Sequence, residues 1–163
     1  MKLNKQYKYS CIVQFEDCDM QNIAHHSKLI CYLERARIDA LQKENIGYNK
    51  MLQMNTCFVI TDMKLKFTSP AKLSDELTII TCLSSAYSYS IKVNQIIVKG
   101  DIELPIKNWI GINNTVMSSS MRCCIVDVNN TIPVKDNNKI YDLLDIKKNN
   151  STIKDVNFKH PFI

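Results

Sequence analysis

Hydrophobic and polar positions alternate with a period of two over residues 57–67, CFVITDMKLKF. Val59, Thr61, Met63, Leu65 and Phe67 share one face there, while Lys64 and Lys66 take the other, the period of a strand. Runs rich in β-branched and apolar types at 6–15, 76–83, 88–98 and 115–127 read as four more strands. From Ser27 to about Asn45 the period changes. Leu29, Leu33, Ala36 and Ala40 recur at i, i+4, i+7 and i+11, the apolar stripe of a helix. Ser27 is placed to cap its start and Gly47 to stop it. The turn TSPAKLSD, with Pro70 and Asp75, joins two of the strands. One strand, one long helix, then four strands with no helix between them predicts an α+β layer: an antiparallel sheet with the helix on one face.

Size and composition narrow the class. At 163 residues, 45% hydrophobic and 23% charged, the chain is expected to bury roughly two-thirds of its unfolded surface without staples. Its seven cysteines are odd in number and show neither CxxC nor Cys/His zinc spacing, which points to reduced thiols and a cytoplasmic setting. No signal-peptide apolar core precedes Glu16, and no run approaches the 18 or more apolar residues of a membrane span. The formal charge of +5 is spread over scattered lysines, with only Arg35 and Arg37 close together. That argues against nucleic acid and suits a phosphorylated small molecule or an acidic carrier protein. Residues 1–127 read as one domain and 128–163 as a polar extension packed on it or trailing from it.

Chemistry concentrates in residues 15–37, FEDCDMQNIAHHSKLICYLERAR. Asp17 and Asp19 alternate along what reads as a strand end, so they should face opposite sides. His25 and His26 approach the helix. Adjacent imidazoles seldom reach one ion together, so no metal is expected. Cys18, between two carboxylates, has its thiolate disfavoured. Ser118, Ser119 and Ser120 lack a GxSxG elbow and read as small strand residues. Arg35 and Arg37 suit either a phosphate or pairing with Glu34 and Asp39 on an exposed helical face.

The spacing of these pieces resembles the hot-dog-fold acyl-CoA thioesterases of the 4-hydroxybenzoyl-CoA thioesterase and YbgC type. Their signature runs E-D-x-D, six residues, H, then a helix with E-R-A-R. Here the pieces are Glu16-Asp17-Cys18-Asp19, His26 and Glu34-Arg35-Ala36-Arg37. The stretch from Phe67 to Thr78, with its Pro70-Ala71 turn before Asp75-Glu76-Leu77, is similar to the same family's strand–turn–strand. The resemblance implies a curved antiparallel sheet wrapped around the long helix, paired into a homodimer or homotetramer with sites at the interface. It implies no cofactor. By position it makes Asp19 the nucleophile or general base and gives the backbone N–H at His26 the task of polarising the thioester carbonyl. Asn22, His25, Glu34 and Arg37 would contact the substrate, an acyl-CoA or acyl carrier protein.

The chain departs from the family at two places. Asn22 stands where glycine is usual, a residue that tolerates positive φ. The segment KGDIELPIKNWIGIN before Thr115 is longer than the usual hairpin and holds the only tryptophan, Trp109. Two other functions compete. An enoyl-thioester hydratase of this fold would resemble Asp-x4-His with Asn-Pro in the loop, whereas five residues separate Asp19 from His25 and no proline intervenes. A catalytically silent acyl-thioester binder would not need to keep Asp19 and His26. Thioesterases acting on carrier-bound polyketides share the paired arginines but commonly hold Asn at the Asp19 position, which tilts the reading towards acyl-CoA.

Overall fold

The computed structural model describes residues 5–87, 90–109 and 111–134. Five strands, β1 (Gln6–Ile12), β2 (Thr56–Phe67), β3 (Glu76–Ala86), β4 (Ser90–Lys99) and β5 (Thr115–Asp127), form one sheet in the order β1-β3-β4-β5-β2. Each neighbouring pair is antiparallel. The helix α1 (His26–Lys43) lies on the inner face and buries Leu29, Tyr32, Leu33, Ala36 and Ala40. Burying each large apolar side chain of that stripe contributes about 1.5–3 kcal/mol. Ala36 and Ala40, both essentially unexposed, let the helix approach the sheet closely. This is the α+β architecture the periodicity predicts.

Local chemistry moves several boundaries. The first strand stops at Ile12 rather than 15, because Phe15–Asp17 tighten into a single 3-10 turn. The cap of α1 is His25, not Ser27: its imidazole Nδ1 accepts from the Ser27 N–H at 3.4 Å and lies 2.8 Å from Ser27 Oγ. The helix is stopped by Asn45 at φ 58°, with the Ile46 N–H donating back to Leu41 C=O at 2.9 Å, a left-handed C-terminal cap. Gly47 instead opens a second short helix, α2 (Tyr48–Gln53), which the sequence reading lacks.

The inner face carries two apolar clusters. One gathers Ala40, Leu83, Val93, Met121 and Ile125, the other Leu29, Leu33, Ile79, Ile97 and Met117. Between them the strand register sets a polar row, Thr81 beside Gln95 beside Ser119, each with no exposed surface. On the outer face Ile106 and Trp109 of the 100–114 segment cover Ile80, Cys82, Ile96 and Val98. Gln6 fastens that segment through two 2.7 Å bonds, its Nε2–H donating to Ile106 C=O and its Oε1 accepting from the Ile106 N–H. The outer edge of β2 is left open, with Val59, Ile60 and Phe67 exposed along it. The polar extension expected after 127 begins by folding back: the Val134 N–H donates to Ile125 C=O at 3.0 Å, and Val126 bridges to Pro133. Its remainder, 135–163, lies outside the described residues.

Candidate active site

Between the 3-10 turn and α1 the chain makes a tight loop. Cys18 bridges to Ala24 and the Asp19 N–H donates to Ile23 C=O at 2.9 Å, so the ends of the loop lie side by side. The reversal is made at Asn22, whose φ of 57° is the left-handed conformation that asparagine adopts more readily than most residues. The Asn22 N–H donates to Asp19 C=O at 3.0 Å, and Asn22 C=O accepts from the Leu73 N–H at 3.1 Å. The second anchor is the turn after β2, where the Ala24 N–H donates to Ala71 C=O at 2.8 Å and Ile23 bridges to Lys72.

Asp19 is exposed at this loop. Its Oδ1 accepts from the Gln21 N–H at 2.8 Å and the Ile23 N–H at 3.2 Å. Oδ2 has no hydrogen-bond partner among the described residues. Three residues beyond Ile23, His26 begins α1. Its backbone N–H meets no acceptor among the described residues, as the first N–H groups of a helix do unless capped. An open carboxylate oxygen and an unsatisfied helix-end donor thus sit on one loop. The His25 and His26 rings lie against each other with centroids 4.2 Å apart.

Asp17 is buried where Asp19 is exposed, and it is not a strand residue. It belongs to the 3-10 turn and is 3% exposed. Its Oδ2 accepts from Tyr32 Oη–H at 2.5 Å and from the Gln14 N–H at 3.1 Å, Lys28 Nζ lies 3.3 Å from Oδ1, and its C=O accepts from the His25 N–H at 2.8 Å. Burial works to raise its pKa, but these donors outweigh it and hold the carboxyl below its ordinary value. Asp17 therefore ties the loop to α1, a role that its reading as part of a strand end does not contain. The Cys18 thiol is pushed up, first by desolvation and then by Asp17 and Asp19, in the direction its two neighbours imply.

Glu34 and Arg37 lie elsewhere in the same chain. Arg37 is eleven positions along α1 from His26, about 16 Å at 1.5 Å per residue. With Ile38, Leu41, Phe58 and Val93 the two charged residues line a cavity of about 200 Å³ between α1 and the sheet. Arg37 is half-buried and donates from Nη1 to Gln95 Oε1 at 3.0 Å. Of the two readings of the helical arginines, a ligand role or pairing with Glu34 and Asp39, the pairing is not made among the described residues: Asp39 forms an ion pair with Lys43 at 2.6 Å, and Arg35 stands over the Tyr32 ring at 5.7 Å. One chain therefore keeps Asp19, Asn22, His25 and His26 together and Glu34 and Arg37 apart from them.

Residues 13–137 match the sequence profile of the thioesterase-like superfamily. The chain belongs to that superfamily. Among curated relatives, the Acyl-CoA thioester hydrolase YbgC of Escherichia coli is 26% identical over 95 residues, 58% of this chain and 71% of that protein. The Acyl-CoA thioesterase YbgC of Helicobacter pylori is 36% identical over 73 residues, 44% of this chain and 51% of that one. In fold, this thioesterase-like chain superimposes on a hypothetical protein of Aquifex aeolicus with a TM-score of 0.71 at 24% identity, covering 85% of this chain and 98% of that one. It superimposes on the DHNA-CoA thioesterase of Staphylococcus aureus with a TM-score of 0.70 at 12% identity, covering 84% and 85%. The architecture is the hot-dog fold. No helix among the described residues is long and apolar enough to cross a membrane.

Proposed function

We propose that this chain hydrolyses acyl-CoA thioesters, with Asp19 as the reacting carboxylate and the His26 N–H as a donor to the carbonyl oxygen. The observation that supports it is the open Oδ2 of Asp19 on the loop that leads into the uncapped N–H of His26. As a base, Asp19 takes a proton from water while the water oxygen bonds to the carbonyl carbon. The developing oxyanion is met by the helix-end N–H, a contact whose loss typically lowers the rate about 10²–10³-fold. Collapse breaks the C–S bond, and the departing thiolate recovers the proton. As a nucleophile, Asp19 bonds to the carbonyl carbon directly, expels the thiolate and leaves an anhydride that water then opens.

Glu34 and Arg37 join this reading through a homodimer paired along the open β2 edge. That edge is twelve residues long and carries exposed Val59, Ile60 and Phe67, the kind that natural proteins cover. Pairing there brings the cavity of one subunit towards the loop of the other, and Asn22 and His25 border the same loop. A carrier-protein thioester is the alternative substrate, and a silent binder is the alternative function.

The test is a thiol-trapping assay of the purified protein against short, long and aromatic acyl-CoAs and an acyl carrier protein. Thiol release by the wild type that vanishes in Asp19→Asn supports the reading. Tight binding of acyl-CoA without turnover makes the chain a binder.

A further inference from the structure

The polar row on the inner face is unusual in its position. Three uncharged polar side chains, Thr81, Gln95 and Ser119, are fully buried where the neighbouring inward positions are apolar. A buried polar group without partners costs about 1–3 kcal/mol, so such a row persists only where it is bonded or serves a purpose. Gln95 is bonded at both ends. Its Nε2–H groups donate to Thr81 Oγ1 at 2.8 Å and to Leu33 C=O of α1 at 2.9 Å, and its Oε1 accepts from Arg37. Leu33 and Arg37 are i and i+4 on the helix, so one amide grips a helical turn by its carbonyl and by the side chain that follows it.

The Leu33 C=O can only accept, so it requires the amide N–H and fixes the orientation of the Gln95 side chain, while the Thr81 hydroxyl takes the second N–H. Oε1 can therefore face only Arg37. The guanidinium so held keeps its other N–H groups for the cavity it lines, whose walls include Ile38, Leu41, Phe58 and Val93. No carboxylate pairs with it among the described residues, although Glu34 one turn earlier acts on it through space. A half-desolvated cation at an apolar wall is a strong donor to an oxygen that enters there.

We propose that Gln95 is a positioning residue for acyl-thioester binding: clamped to Thr81 and Leu33, it aims the Arg37 guanidinium into the cavity as the donor for a substrate oxygen. The inference rests on the hydrolase reading, and deepens it by naming what orders the binding side of the site. Gln95 itself does not touch substrate.

The test is a double-mutant cycle on the full-length protein, read as the Kd of the non-hydrolysable thioether S-octyl-CoA and as KM and kcat for octanoyl-CoA. Gln95→Met and Arg37→Met should each raise Kd and KM about tenfold with kcat changed less than threefold. The double variant should be no weaker than Arg37→Met alone, because Gln95 acts only through Arg37. Additive losses, or a Gln95→Met protein that binds as the wild type does, overturn the proposal. Should Gln95→Met fail to fold, Thr81→Val removes one end of the clamp at nearly constant shape and should raise Kd and KM at least threefold with kcat little changed; a wild-type Kd and KM sink the claim. A wild type that binds the thioether but turns over no thioester refutes the hydrolase reading while the cycle in Kd still decides the clamp.

Discussion

The Tyr32 hydroxyl donates to Asp17 Oδ2 at 2.5 Å, joining the second turn of α1 to the short turn that precedes the candidate loop. Both groups are buried, and Lys28 completes the arrangement from the first turn of the helix. Tyr32 is held protonated: burial raises its pKa first, and the bond to Asp17 raises it further. The folded-state pKa of Asp17 is depressed, so as the pH falls the unfolded chain takes up its proton first. Stability from this group is present above about pH 4, the unfolded carboxyl value, and is lost as the pH drops through the folded one. Urea denaturation between pH 2 and 6 should show a fall below about pH 4 that Asp17→Asn reduces. Tyr32→Phe should lower stability by about 1–3 kcal/mol at pH 7 by leaving a carboxylate oxygen short of a donor.

Asp19→Asn is a test of chemistry with little structural disturbance. The two bonds that brace the loop go from Gln21 and Ile23 N–H groups to a single oxygen, and the amide oxygen of asparagine can accept both. The variant should melt within a few degrees of wild type and lose at least about a hundredfold in kcat. Asp17→Asn should behave oppositely, with a lower melting temperature and kcat within about fivefold. EDTA should leave both wild-type rates and melting unchanged. In a single-turnover reaction in ¹⁸O water, label in the Asp19 carboxylate would establish the nucleophilic route, with water opening the anhydride at the Asp19 carbonyl, since the base route puts the label only in the released acid.

Much of this fold is legible in the sequence because its elements are long enough to show their period. Leu29, Leu33, Ala36 and Ala40 announce α1, and all four are buried. Helix α2 is six residues with nothing buried, too short to carry a stripe. The cap at His25 is hidden because histidine is seldom chosen there, whereas Ser27 is a preferred capping type that here serves His25 instead. Asp17 shares its spacing with many solvated turns, and only the tertiary approach of Tyr32 and Lys28 gives it a buried role. Gln95 did leave a signal. It is the one polar residue among Ile91, Val93 and Ile97 on the inward-facing alternation of β4, a break in pattern that marks either a mistake of register or a bonded site. The separation of Arg37 from Asp19 is hidden by their nearness in sequence, which conceals about three turns of helix.

The open β2 edge should be the dimer contact. Ile60, 42% exposed, sits next to the register shift between Ile60 and Asp62, and a charge there opposes burial against a second copy. Ile60→Lys should shift light scattering from a dimer towards the 18.8 kDa monomer at micromolar concentration. It should lower thioesterase activity in parallel if Arg37 of one subunit serves the loop of the other. A wild type that scatters as a fully active monomer contradicts the shared site.

The 100–114 segment should act as a fixed cover on the outer face rather than as part of the reaction. Trp109 is 5% exposed and packs with Ile106 over Ile80, Cys82, Ile96 and Val98, while Gln6 holds the Ile106 backbone by both its groups. Truncating a buried aromatic of this size costs about 3–5 kcal/mol, so Trp109→Ala should be among the more destabilising substitutions in the chain. Gln6→Ala strands a buried amide pair and should cost about 1–3 kcal/mol. Beneath the cover, burial pushes the Cys82 thiol up to about 12. Native Cys82 should therefore resist iodoacetamide at pH 8 and become reactive when Trp109→Ala loosens the segment, a change that mass spectrometry of the alkylated peptide would detect. Because Gln6 braces Ile106 in the outer-face cluster while the Asp19 loop is anchored to the turn at Ala71 and Lys72, kcat for a cleaved acyl-CoA should stay within about threefold in Gln6→Ala at 25 °C. A large loss of kcat with unchanged melting would instead give the segment a part in the reaction.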